Sequence, residues 1–444
     1  MKTVKLMAVV LWIIIGYAMV VCIQSHYFIE SKPKIKLGID MLEEQGFDIL
    51  QNKNVGILTN QAGIDSNGEL TWSILKNTPS VNLKAIFAPV HGLEGKFMSL
   101  ETFYNDEIDD IPVYSVFASN SRPKNEWLRG LDAVVVDLQG LGIRYYNYWA
   151  FMVYMMAACF ENGIEVIVLD RPNPLGGHYV GGPIMDPDNT SVWGPIAGLP
   201  VFHGMTIGEL ANYCKNLPDG IVSHELTETG VPHSGLKVSP ETLAKGKLTV
   251  IPMQGWRRNM LWQDTGLEWV GTSPYIANLQ SVYEYAFTAL SSFVSLSYYD
   301  TCSFLKFEPS WETRRPLEMF SSRYVTAPTI VRYIENEIFK KQRQGFSLSV
   351  TGKYHNLVGI AIKDIRKVVP GLFGLAMLAL SQKYARFYAD NEENIRLVAT
   401  HIGEKELLNK LIKSERINVN YFKDKWTNEA LQFIEKIKPY YLYE

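Results

Sequence analysis

Polar residues that could do chemistry fall in short clusters along this chain, each directly after an apolar run. The first is Thr59-Asn60-Gln61-Ala62-Gly63, and the second is Ala88-Pro89-Val90-His91-Gly92-Leu93-Glu94-Gly95. The third is Asp137-Leu138-Gln139, which continues to Arg144-Tyr145-Tyr146, and the fourth is Asp170-Arg171-Pro172-Asn173-Pro174. A further stretch, His203-Gly204-Met205-Thr206, stands immediately before a helix start. Carboxylates and imidazoles move protons near neutral pH, arginine pairs with anionic oxygens, and amides match hydroxyls. Such residues also have plain structural uses, because Asp and Asn at strand ends cap turns and a loop histidine bonds backbone. Four clusters converging on one sheet edge would line a crevice, and that makes a binding site there the expectation.

Several other chemistries lack their residues. No G-x-S-x-G elbow is present, and Gly140-Leu141-Gly142 lacks the third glycine of a dinucleotide fingerprint. No Walker loop occurs, and the 8 histidines never form H-x-x-x-H, so neither a metal nor a cofactor is expected. The balance of 43 basic against 46 acidic residues, net −3, leaves no positive surplus for nucleic acid. Four scattered cysteines give no disulfide framework.

The apolar runs supply the elements that would hold these clusters. Runs at 55–58, 83–87, 133–136 and 166–169 are apolar on both faces, as buried parallel strands are. Helical stretches separate them, the clearest at 148–160, closed by Asn162-Gly163. Thr206-Ile207-Gly208-Glu209 has the hydroxyl-to-carboxylate spacing of a capping box. The expected fold is therefore α/β, a Rossmann-like parallel-sheet domain over 36–247 followed by a smaller α/β domain over 248–444. The second part opens with a strand at 248–253 and a loop rich in tryptophan, with Trp256, Trp262 and Trp269. With 47% hydrophobic and 20% charged residues, the body has the composition of a folded globular chain.

Ahead of it, Lys2 and Lys5 precede an uncharged run at 6–23, which as a helix would span about 27 Å, close to the thickness of a bilayer core. Residues 1–30 read as an N-terminal membrane helix, either a signal anchor or a signal peptide. The absence of an A-x-A cleavage site favours the anchor. The body is then expected in the cell envelope, extracytoplasmic, membrane-anchored or secreted.

In this order the clusters resemble the exo-β-N-acetylmuramidases, a family of peptidoglycan-recycling glycoside hydrolases formerly catalogued as a domain of unknown function. TNQAG, PVHG, DLQGLGIRYYNY, VLDRPNPLGG, FHGMTIGEL, WQDTGLEWVGTSP and the final PYYLY carry the likeness. The resemblance implies an active cleft between a Rossmann-like domain and a smaller one, muramic-acid-containing saccharides as ligands, and no cofactor. It implies substrate-binding roles for Asn60, Gln139, Arg144, Tyr146, Asp170, Arg171, Asn173, His203, Thr206 and Trp262, with the lactyl carboxylate on Arg144 or Arg171. Catalytic roles would fall to His91, Asp137 and Glu94.

The chain also departs from the family pattern. The family's PEHG reads Pro89-Val90-His91-Gly92, so its leading candidate for the catalytic acid is Val90 here. A later E-G-T-N…G-R-G-T stretch aligns with Ser291-Ser292-Phe293-Val294 and Tyr298-Tyr299-Asp300-Thr301, and S-P-N reads Ser273-Pro274-Tyr275. Glu94 could replace the acid if 90–94 formed a helical turn, which puts i and i+4 on one face. Two functions stay open: a hydrolase with a weakened or relocated acid, and a tethered saccharide binder without turnover.

Overall fold

The computed structural model describes residues 35–97, 106–117, 122–228, 231–295, 306–307, 319–321, 325–339, 345–351, 357–384 and 392–444. The expected membrane helix at 1–30 lies outside the described residues. Among the described residues no helix is long and apolar enough to cross a membrane.

Seven strands build the central sheet. In chain order they begin with β1 (Asn54–Thr59), β2 (Asn82–Ala88), β3 (Asp106–Ile108), β4 (Ile111–Ser115), β5 (Ala133–Asp137) and β6 (Glu165–Leu169). A hairpin-like pair follows, β7 (Val180–Ile184) with β8 (Pro200–His203). Two short antiparallel pairs come next, β9 (Ile221–Val222) with β12 (Lys237–Val238) and β10 (Leu226–Glu228) with β11 (Val231–His233). Strand β13 (Leu248–Ile251) then returns to the central sheet, whose order is β13-β6-β5-β1-β2-β4-β3. All neighbours are parallel except β3, which runs antiparallel on the β4 edge. The chain winds outward from β1 through β2 to β4, then restarts on the other side of β1 with β5, as in a doubly wound sheet. The switch point between β1 and β5 sets Thr59 beside Asp137.

Burial explains the sequence pattern. All five residues of β5 are buried, so the run is apolar up to its final Asp137 and does not alternate. Helix Tyr148–Glu161 is buried along 13 of its 14 residues, and a helix that is apolar all round belongs inside. It packs on β6 and on helices Ile207–Lys215 and Pro240–Lys245.

The expected domain boundary needs a correction. The run at 248–253 was to open the second domain, yet β13 is hydrogen-bonded to β6 as the outer parallel strand of the first sheet. Further on, β14 (Lys306–Phe307), β15 (Met319–Ser321), β16 (Phe346–Thr351) and β17 (Leu357–Ile362) form an antiparallel sheet ordered β14-β15-β17-β16. Helices Leu279–Ser295 and Ala327–Arg332 pack on this sheet, and Leu372–Tyr384 packs against Leu279–Ser295. Helix Val419–Ile437 comes back to lie on β7, and Tyr443 reaches the first sheet. The last segment of the chain is thus built into the first half.

Candidate functional site

The carboxyl ends of β5, β6 and β8 meet around a small cavity of about 10 Å³, room for roughly one water. Its polar lining includes Arg171, Asn173, His203, Thr206 and Tyr146, and Trp149, Met205, Ile207 and Leu210 give it apolar walls. Five of the expected site residues are therefore brought together here. Asn173 bridges the β6 and β8 loops, its amide donating to the Met205 carbonyl at 3.1 Å while its Oδ1 accepts from Leu175 N at 3.0 Å.

Asp137 and Arg171 form a buried ion pair. The guanidinium donates through Nε to one carboxylate oxygen and through Nη2 (2.8 Å) to the other, which also accepts from the Thr71 hydroxyl at 2.5 Å. Nη2 donates as well to the Ile64 carbonyl at 2.6 Å. Asp137 is fully buried and its oxygens already serve three donors, so it positions Arg171.

Asp170 is the second hub. Its oxygens accept from Arg171 N (2.9 Å), Gly208 N (2.8 Å), the Thr206 hydroxyl (2.8 Å) and the Tyr443 hydroxyl (2.5 Å). Burial raises its pKa to about 7. Thr206 caps helix Ile207–Lys215, and Glu209 completes the capping box. Glu209 also pairs with buried Arg258, whose Nη1 donates to both carboxylate oxygens at 2.7 and 2.9 Å. Arg258 did not enter the sequence reading, and Tyr443 entered it only within the final PYYLY, while their partners Glu209 and Asp170 were marked by the capping box and the fourth cluster.

Four expected roles change on contact with the geometry. Arg144 is 1% exposed, and its guanidinium donates to the carbonyls of Pro183, Leu199, His401 and Ile402 at 2.7–3.0 Å. It clamps the β7–β8 pair to the end of helix Glu392–Ile402, so both its Nη groups are spent on backbone carbonyls. Trp262 is buried, donates to the Leu267 carbonyl at 3.1 Å and meets Trp269 edge-on, which makes it part of the loop's own core. Asn60 and Gln139 are buried at the ends of β1 and β5, where Asn60 turns the backbone by accepting from Ala62 N. Gln139 donates to the carbonyls of Gly140 and Pro172 at 2.7 and 2.8 Å.

The loop after β2 carries the remaining candidates. Val90 is 8% exposed and belongs to the apolar core. His91 has φ +74° and Gly92 φ +78°, which no right-handed helix allows. The helical turn that would place Glu94 on the face of Val90 therefore does not form. The Glu94 side chain is 66% exposed and pairs with Lys96 at 2.7 Å. His91 donates from Nδ1 to the Phe97 carbonyl at 2.6 Å and faces Tyr275 edge-on, and burial lowers its pKa. Tyr146 and Tyr148 donate to Thr272 Oγ1 and Thr272 O, each at 2.6 Å, tying this side of the site to the tryptophan loop. Burial raises Tyr146 to about 12, so it stays a neutral donor. Ser291 and the stretch 298–301 lie where no side chain is described.

Residues 55–280 match the family model for the N-terminal part of the exo-β-N-acetylmuramidase NamZ. The peptidoglycan β-N-acetylmuramidase NamZ of Bacillus subtilis (strain 168) is 35% identical over 269 residues, 60% of this chain and 59% of that relative's length. A crystal structure of a DUF1343 family protein from Bacteroides fragilis NCTC 9343 superposes with TM-score 0.75 at 28% identity, over 93% of this chain and 99% of that one. A second DUF1343 family protein from the same organism, 22% identical with TM-score 0.62, shares the fold over 92% of this chain and 99% of its own. With the strand-end clusters and the doubly wound sheet in place, the family match over residues 55–280 settles the relationship: the chain belongs to the exo-β-N-acetylmuramidase NamZ family.

Proposed function

We propose that this chain recognises muramic-acid-containing saccharides at the carboxyl edge of its first sheet and hydrolyses them weakly, as a family member with impaired acid chemistry. One observation carries the reading: the position of the family's glutamate holds Val90, buried in the apolar core, and the nearest carboxyl along the chain, Glu94, is exposed on Lys96. Glycosidic cleavage needs a proton donor at the leaving oxygen, and general acid catalysis supplies about 10²–10⁴-fold. The other candidates do not replace it. His91 is held neutral by burial, Asp137 is committed to Arg171 and Thr71, and Asp170 is enclosed by four donors. A binder without turnover is the limiting form of the same reading, and the replaced stretch at 291–301 favours it. The apolar run at 6–23 supports placing the body in the cell envelope, outside the cytoplasmic membrane.

Val90→Glu tests the proposal. A carboxyl at this buried position would have a raised pKa, as a general acid requires. Release of the aryl group from an aryl β-N-acetylmuramide should rise by about 10²-fold over wild type. If wild type already turns over rapidly and Glu94→Gln abolishes it, the acid has moved to Glu94 and the proposal fails.

A further inference from the structure

Residues 440–444 are stitched to the first half of the chain by a run of specific contacts. The Tyr443 hydroxyl donates to Asp170 Oδ2 at 2.5 Å and accepts from Met253 N at 2.9 Å, so it joins the chain just past β6 to the chain just past β13. Leu442 N donates to Glu209 Oε1 at 2.9 Å, and Arg258 N donates to the Glu444 carbonyl at 2.9 Å. The Arg258 guanidinium lies 3.4 Å over the Tyr441 ring, a cation–π contact, and Tyr443 meets Trp256 edge-on at 5.0 Å. Tyr440 meets Tyr213 of helix Ile207–Lys215 edge-on at 5.6 Å.

The partners of this segment are the groups that shape the carboxyl edge. Asp170 Oδ1 accepts from Arg171 N and Gly208 N, while Oδ2 accepts from the hydroxyls of Thr206 and Tyr443. Arg171, His203, Met205 and Thr206 line the cavity there. Glu209 accepts from Thr206 N at one oxygen and from Leu442 N at the other. Segment 440–444 and the loop at 203–208 therefore share both carboxylates. Loss of the Tyr443 hydroxyl would leave Asp170 one donor short and the buried Met253 N–H unpaired, and a change at Asp170 reaches the loop through Thr206 and Gly208. The wall residues all fall inside the 55–280 family match, and 440–444 lies outside it.

We propose that residues 440–444 are a positioning strap for the carboxyl edge, with Tyr443 setting Asp170 and, through it, the 203–208 loop. The second half of the chain then governs how well the first half holds its ligand. The proposal rests on the saccharide reading for that ligand, but the coupling between strap and loop can be measured without one.

Tyr443→Phe keeps the ring beside Trp256 and removes only the hydroxyl. In the full chain, well below the melting temperature, calorimetry should show an N-acetylmuramic acid saccharide binding about fivefold more weakly, within the worth of one hydrogen bond. In an Asp170→Asn background the same substitution should change affinity by less than about twofold, because the two residues act as one unit. Leu442→Ala alters an exposed side chain and keeps the backbone bond to Glu209, so it should bind as wild type does. A hydroxyl that is merely structural would lower the melting temperature and leave affinity unchanged, and that result overturns the proposal. An equal loss of affinity in both backgrounds overturns it too, since the effect would not pass through Asp170. Native-state hydrogen exchange on wild type without saccharide is the second arm: the amides of Thr206, Gly208 and Leu442 should open as one unit. Leu442 exchanging long before Gly208 overturns the strap even where Tyr443→Phe does not fold. If wild type binds no saccharide while the three amides still open together, the saccharide reading fails and the strap stands.

Discussion

Two regions at the carboxyl edge of one sheet differ in kind in this chain. The wall built from β5, β6 and the loop into helix Ile207–Lys215 keeps each family-like side chain in a buried bond network: Asp137 with Arg171 and Thr71, Asp170 with Thr206 and Tyr443, Glu209 with Arg258. The loop after β2 has an apolar residue at 90, an exposed carboxyl at 94 and left-handed backbone between them. The wall residues also hold the fold, so losing one would leave a buried charge or carbonyl unpaired. A side chain on such a loop supports no buried network, so a substitution there leaves the fold's bonds in place. Retained wall residues are therefore evidence of a structural platform and weak evidence of turnover.

The largest effect expected from this contrast comes from Arg171→Met, which strands Asp137 with a single hydroxyl donor in a dry site. Urea unfolding should show a loss of about 3–5 kcal/mol. A loss under about 1 kcal/mol would mean that the wall pair is no more structural than the loop.

Next in size is an opposed pair of pH effects within the wall. Asp170 is raised from 3.8 to about 7, so its proton is bound more tightly in the folded state. The stability it contributes is complete below its unfolded pKa and is lost as pH climbs from about 4 to 7. His203 is lowered from 6.5 to about 3, so acid favours its unfolded form, and its contribution is lost as pH falls from 6.5 to 3. In wild type the two slopes offset each other between about pH 4 and 6.5. Asp170→Asn should make stability rise with pH across that window, and His203→Gln should make it fall. Parallel denaturation curves for all three proteins across the window would contradict the burial of these groups.

The smallest effect is expected on the loop. Glu94→Gln removes only an exposed pair with Lys96 and should change stability by less than about 0.5 kcal/mol, with no change in saccharide affinity. A clear loss of affinity would bring Glu94 into the site.

Much of the fold was legible in the residues. Doubly apolar runs marked β1, β2, β5 and β6, and the capping box marked the start of helix Ile207–Lys215. Strand β13 misled because a partly exposed edge strand looks alike whether it closes one sheet or opens the next. Site residues were harder, since sequence locates a side chain at a strand end but not the partner it will find. Arg144 reads as an anion clamp until four carbonyls, two of them more than 250 positions away, take both its Nη groups. Glu94 depended on a helical turn that the positive φ of His91 and Gly92 prevents.

The central claim, that recognition persists where acid catalysis has been weakened, is tested most directly on the unmodified full chain. Calorimetric titration with an N-acetylmuramic acid saccharide would be set beside release of the aryl group from an aryl β-N-acetylmuramide in the same buffer. Saturable binding with release about 10²-fold or more below that of the Val90→Glu variant is the predicted result. Rapid release by wild type, unaffected by restoring a carboxyl at position 90, would contradict it.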